Sequence, residues 1–286
     1  MKKGLLVVMM MLAAVAAKAE FVYTAGADLT SAYLWRGQFN GGLSFQPELG
    51  VGIETDNFAF NFGVWGNIGA SDWKFAKNKD TYVDEDGEEI DPNTKFMPEL
   101  DLMLSVSLFG ASVGFNHYYY CDGSNFFSWQ SDSRIVIDGN TSTTEIWAGY
   151  NFGDRLNVGA YINWYTTIAG NDFVWETDDK FKRAWSTYIE LGYGYEFERI
   201  GLSLDANLGI SPWKSDLYGN SRFAVVNLSA RVDKAFDLGI CSLNIFLQGS
   251  LNPHGLNKEN LYIAGSGDEK LYKQKGNGAI GIGVWF

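Results

Sequence analysis

Acyl or peptide transfer through a serine or threonine needs a base beside the hydroxyl, and histidine is the usual one. This chain of 286 residues has two histidines, His117 and His254. His117 begins His117-Tyr118-Tyr119, with no serine two positions on, and His254 sits in the turn-like run Asn252-Pro253-His254-Gly255. Two histidines with no third ligand nearby do not make a zinc site. The acidic run Asp84, Glu85, Asp86, Glu88, Glu89 and Asp91 invites a calcium loop, but Gly87 would put Tyr82 at the first ligand position, so the EF-hand pattern fails. Asp86-Gly87 between Tyr82-Val83 and Ile90 predicts a hairpin tip instead. No catalytic residue, metal site or cofactor is expected. The chemistry left is that of charge and aromatic surface lining a passage. Its candidates are Asp28, Arg36, Glu48, Glu54, Trp65, Glu99, Asp101, Tyr118, Glu145, Trp147, Tyr161, Glu190, Asp205 and Arg231.

These residues recur at even spacing inside segments whose alternate positions are apolar. From Ser44 to Glu54, Phe45, Pro47, Leu49, Val51 and Ile53 share one face, while Gln46, Glu48, Gly50, Gly52 and Glu54 share the other. Period two means a strand with two unlike faces. The same reading gives twelve strands: 22–36, 44–54, 58–67, 96–108, 111–120, 143–152, 156–166, 185–197, 202–210, 224–232, 242–251 and 278–286. Residues 22–36 are the least regular, because Ser31 lands among the apolar positions and Leu34 among the polar ones.

Connections alternate between short and long. The short set is 55–57, 109–110, 153–154, 198–201 and 233–239; the long set is 37–43, 69–94, 121–142, 167–184, 211–223 and 252–277. Long and short ends that alternate along an antiparallel meander match an outer-membrane barrel. The fold class is all-β, a 12-stranded antiparallel up-and-down transmembrane β-barrel, and its last strand is expected to pair with its first, because lipid tolerates no open edge.

A lipocalin-like soluble barrel would turn the apolar stripe inward. Charge argues the other way: the polar face carries the acids and arginines named above, interleaved with many of the 33 glycines. Aromatics on the apolar face gather at strand ends. Tyr33, Trp35, Phe45, Phe96, Tyr119, Trp164 and Trp185 lie toward the long loops, and Phe58, Phe152, Tyr195, Phe197 and Phe286 toward the turns. Two such girdles suit a bilayer, where amphipathic rings settle at headgroup depth.

Lys2 and Lys3, an apolar run over residues 5–16 and Ala17-Lys18-Ala19 predict a cleaved signal peptide over 1–19, with the barrel occupying 20–286. Cleavage would take three of the 22 bases and leave 19 against 34 acids. That surplus of acid excludes nucleic acid as a partner. It gives the lumen a negative potential and mild cation selectivity; the alternative is that Arg36 and Arg231 neutralise neighbours such as Glu48 across strands and the remaining acids are solvated or protonated. The expected partners are outer-membrane lipid, lipopolysaccharide and small polar solutes, with both termini periplasmic. The long loops 69–94 and 121–142 are the ones expected to narrow the mouth. Cys121 and Cys241 fall at opposite strand ends, so no disulfide between them is expected.

Ser31-Ala32-Tyr33-Leu34-Trp35-Arg36-Gly37, followed by Gly63-Val64-Trp65-Gly66, resembles the opening of the TorF-like porin family, with Ala32 where that pattern usually carries Asp. The resemblance implies an outer-membrane barrel with a channel role. An alternating last strand that ends in Phe286 resembles the signal by which the barrel-assembly machinery recognises its clients. Channel, non-conducting barrel acting through its loops, and membrane enzyme are the three functions in play, in that order.

Overall fold

A computed structural model of the chain describes residues 19–69, 82–83, 89–90, 99–120, 126, 142–153, 159–170, 172–177, 180–254 and 276–286. Twelve strands close into one antiparallel barrel. They are β1 (Glu20–Thr30), β2 (Ser44–Thr55), β3 (Phe58–Gly69), β4 (Glu99–Leu108), β5 (Ala111–Tyr120), β6 (Thr143–Asn151), β7 (Gly159–Gly170), β8 (Thr187–Phe197), β9 (Leu202–Ser211), β10 (Ala224–Asp237), β11 (Ser242–Leu251) and β12 (Gly276–Trp285). Each pairs with its sequence neighbour. β12 closes on β1 through Gly26 opposite Trp285 to Thr30 opposite Gly281, and the Phe286 amide extends the seam to the Ala25 carbonyl at 2.8 Å. Both described termini lie at the short-turn end.

Local chemistry sets the turns. At Thr55-Asp56-Asn57 the Thr55 hydroxyl accepts the Phe58 amide at 3.1 Å, leaving room for only two residues between strands. Between β4 and β5 the two-residue turn Phe109-Gly110 has both φ angles positive, 50° and 83°, the twist that a tight hairpin demands.

Parity holds along the wall. Leu49, Val51, Leu104, Val113, Leu247 and Ile280 are exposed on the outside, Leu49 by 64%. Ser44, Asn67, Asp101, Glu145 and Asn227 are buried on the inside. An apolar exterior around a polar bore is the arrangement of a transmembrane barrel, since the hydrophobic effect would otherwise drive these side chains from water. Inside, large aromatics lie flat on glycines of the neighbouring strand. A Cβ added at Gly209 would strike the Tyr188 ring, and one at Gly192 the Tyr161 ring.

The structure corrects the first strand. It ends at Thr30, not Arg36, and the chain then forms a separate hairpin of Tyr33–Trp35 with Gln38–Gly41. Tyr33 and Trp35 are therefore not girdle residues; they turn into the mouth, with Tyr33 buried against Trp65 at 5.4 Å between rings. The irregular Ser31 marks the departure point: its amide donates to the Ile280 carbonyl and its hydroxyl accepts the Ile280 amide, which ends the ladder. Phe45, Trp164, Trp185, Tyr195, Phe197 and Phe286 do lie exposed on the exterior, and Phe96 falls outside the described residues. Within the connection after β7 a second hairpin pairs Phe173–Thr177 with Lys180–Arg183, and Tyr82–Val83 pairs with Glu89–Ile90 as expected. Cys241 is a free thiol at the turn end, and Cys121 lies outside the described residues.

A charge placed on this exterior at mid-strand should disturb the protein only if lipid covers it. Leu104→Arg is expected to lower the unfolding free energy in bilayers by about 2–4 kcal/mol, measured by urea titration. An unchanged midpoint would mean that this face does not meet hydrocarbon.

Candidate functional site

The tip of the first-loop hairpin sets the site. Arg36, with φ of 47°, and Gly37, with φ of 82°, turn the chain sharply and send the Arg36 side chain into the bore. Gly37 has no room for a side chain: a Cβ there would strike Asn227 and the Val226 carbonyl. Its own carbonyl accepts from Asn277 Nδ2 at 3.1 Å. The hairpin thus reaches from β1 to β10 and β12.

Arg36 meets Glu145 of β6 as a two-pronged pair, Nη1 to Oε1 at 2.7 Å and Nη2 to Oε2 at 2.9 Å. Nη1 also donates to the Tyr218 hydroxyl at 2.6 Å, and Tyr118 donates to Glu145 Oε2 at 2.7 Å. The guanidinium lies over the rings of Tyr165 at 4.1 Å, Trp35 at 4.6 Å and Tyr188 at 4.7 Å. Trp35 stacks on Tyr218, and Tyr218 on Tyr188. Glu145 is fully buried. Burying both charges carries a large desolvation cost, which two parallel charge-assisted bonds, two hydroxyls and three π faces offset. The Arg36–Glu48 neutralisation offered by the alternative reading does not form; once the chain leaves the wall at Ser31, the arginine reaches across the mouth to Glu145 of β6.

A second loop, residues 212–223, completes the constriction. Its Tyr218 is 1% exposed, and Gln38 Nε2 donates to the Leu217 carbonyl at 3.1 Å. A buried network holds it. Ser186 Oγ donates to Asp172 Oδ1 at 2.5 Å while accepting the Ser215 hydroxyl at 2.8 Å and the Asp216 amide at 3.0 Å, and Ser215 Oγ accepts the Tyr218 amide at 3.1 Å. Burial pushes the Asp172 carboxyl up, against the pull of its Ser186 hydrogen bonds. Burial, helped by Asp172, raises Asp216 to about 7 against the opposing Lys214.

The other candidates spread along the bore. Arg231 binds Asp233 through Nε and Nη2, lies 3.5 Å from Asp28 and sits 3.8 Å over the Phe246 ring. Asp28 also accepts from Trp285 Nε1 at 3.0 Å. Glu190 takes the hydroxyls of Tyr161 and Tyr188, each at 3.0 Å. Trp147 packs on Tyr165, and Asp205 faces Arg231 across the β9–β10 ladder. Glu99 and Asp101 are buried in the mouth wall, whereas Glu54 is exposed at the turn end and joins no cluster. Below the Arg36 hairpin, a cavity of about 410 Å³ is lined by Val22, Thr24, Glu48, Asn61, Met103 and Tyr165, among others.

Neither histidine faces this bore with a free nitrogen. His117 meets Thr144 Oγ1 at 2.9 Å and the Phe126 carbonyl at 2.6 Å, and His254 Nδ1 meets the Val225 backbone. Parity places Tyr118 and Tyr161 on the inner face, but has no means of finding Tyr218, Asp172 or Ser215. They lie in the connections 167–184 and 211–223, where no period exists. The loops seen to fold in are 31–43 and 212–223; most of 69–94 and 121–142 falls outside the described residues.

Glu145→Gln removes the anion from a buried pair. A loss of about 3 kcal/mol should result, seen as roughly 100-fold faster amide exchange across residues 33–41 while the barrel strands keep their protection. The pH response has a definite sign. Asp216 titrates near 7 in the fold and near 3.9 when unfolded, so the folded loop binds more protons in between. Its docking should weaken as pH rises from about 4 through 7. Exchange at Tyr218, corrected for its intrinsic pH dependence, should therefore quicken between pH 5 and 8, and Asp216→Asn should abolish that trend.

No family model matches this chain, and no curated protein matches it. Among solved structures it is similar to an outer membrane channel from Pseudomonas putida F1, at 11% identity and a TM-score of 0.41, over 93% of this chain and 94% of that one. It is also similar to OmpF of Salmonella typhi in complex with daunomycin, at 10% identity and a TM-score of 0.37, over 94% and 97% respectively.

Proposed function

We propose that this protein is a porin-like channel of the outer membrane, passing small polar solutes by diffusion with a mild preference for cations. One observation carries the reading: a closed barrel with an apolar exterior encloses a polar bore in which acids outnumber bases. Asp28, Glu48, Glu99, Asp101, Glu145, Glu190, Asp205 and Asp233 point in, against Arg36 and Arg231. A low-dielectric wall focuses that imbalance into a negative potential that concentrates cations. Twelve strands give a bore between the filled eight-stranded barrels and the open 16-stranded porins, and the Arg36 hairpin narrows it further.

In this reading the termini are periplasmic, Phe286 engages the assembly machinery, and the loop end faces lipopolysaccharide. The likeness of residues 31–37 to the TorF-like porin family supports the same assignment. The hairpin lying across the mouth also favours a second reading, a barrel that does not conduct and acts through its loops.

Planar bilayer recording separates the two. In a KCl gradient the reversal potential should show potassium favoured over chloride, and Arg36→Ala should raise unitary conductance several-fold. Chloride preference would overturn the selectivity, and silence from both the natural chain and Arg36→Ala would favour the non-conducting barrel.

A further inference from the structure

We propose that Glu99 and Asp101 form a binding site for a hard divalent cation of the Ca²⁺ or Mg²⁺ type, in the mouth wall beside the first-loop hairpin. The two lie on the inner face of β4, two residues apart, a Cα separation of roughly 6.6–6.8 Å that two carboxylate side chains can close onto one ion. They are 4% and 6% exposed, and each has an oxygen, Glu99 Oε2 and Asp101 Oδ1, with no hydrogen-bond partner. Buried polar atoms in folded proteins are paired, and an orphaned pair of anionic oxygens points to a missing ion.

Among the described residues no basic group pairs with either carboxylate. Among the described residues, the only charged groups acting on Asp101 are Glu99 and Glu145, both acidic. The arginine at the mouth, Arg36, commits both its terminal nitrogens to Glu145. The neighbours are oxygen donors: the Tyr33 and Tyr120 hydroxyls stand beside Glu99, and Asn67 faces it from β3. An all-oxygen set with two carboxylates selects hard cations over soft ones. With two anionic ligands and water completing the shell, affinity belongs in the range of about 10⁻⁴ to 10⁻³ M. The proposal does not depend on conduction.

Tb³⁺, a luminescent stand-in for Ca²⁺, tests it on the full-length barrel refolded in a zwitterionic detergent at pH 7.5. Tyr33, Tyr120 and Trp65 are close enough to sensitise emission. Saturable luminescence displaced by millimolar Ca²⁺, but not by equal Na⁺, is expected. Glu99→Gln with Asp101→Asn should weaken the Ca²⁺-displaceable component at least tenfold, while a heat-shifted gel mobility verifies the fold. If the double variant does not fold, Asp101→Asn alone serves, with the same criterion. A variant that titrates like the natural chain, or no saturable signal at all, would overturn the site and leave two carboxyls that simply hold protons.

Discussion

Backbone hydrogen bonding in hydrocarbon governs this molecule. No N–H or C=O can face lipid without a partner, so the sheet must close on itself. The seam where β12 meets β1 satisfies that demand over Gly26 to Thr30, with Phe286 and Ser31 extending it at either end. Ser31 is also where the chain is released. Beyond it the backbone no longer belongs to the wall and is free to turn into the mouth. The same closure that makes the barrel therefore fixes where its first loop begins, and the polar interior becomes a small volume with its own charge balance.

In that volume one arginine has several acids within reach and takes the one that offers the most. Glu145 stands beside Tyr118, with Tyr165 and Tyr188 at the same point, so the guanidinium finds two carboxylate oxygens and, counting Trp35, three ring faces together. This fixes the hairpin across the bore, and Tyr218 clamps it from the opposite loop. The clamp depends in turn on the Asp172, Ser186 and Ser215 network, whose partners lie far apart in sequence. A few polar bonds at the mouth are a weaker hold than a continuous ladder, so the constriction belongs to the low-stability end of the structure.

Much of the wall was legible because a half-buried strand has one period and two faces. Strands 111–120 and 242–251 have the boundaries that alternation alone predicts, and the inward parity of Glu99, Asp101, Glu145 and Glu190 follows from it. The first strand misled for a physical reason. Tyr33, Trp35 and Arg36 continue an alternating pattern, but a short amphipathic hairpin folded into a lumen has the same alternation as a strand in the wall. The irregularities at Ser31 and Leu34 were the signs of the break.

By itself the sequence determined that this chain is a twelve-stranded barrel with an acidic bore, because period, turn residues and the alternation of short and long connections are local quantities. Tertiary structure alone decided which charges meet. Arg36 is 109 residues from Glu145 and 182 from Tyr218, and the lone oxygens of Glu99 and Asp101 are recognisable only once every neighbour is in place. Pairing across a bore depends on curvature and on where loops fold, and neither quantity is written in the spacing of residues along one strand.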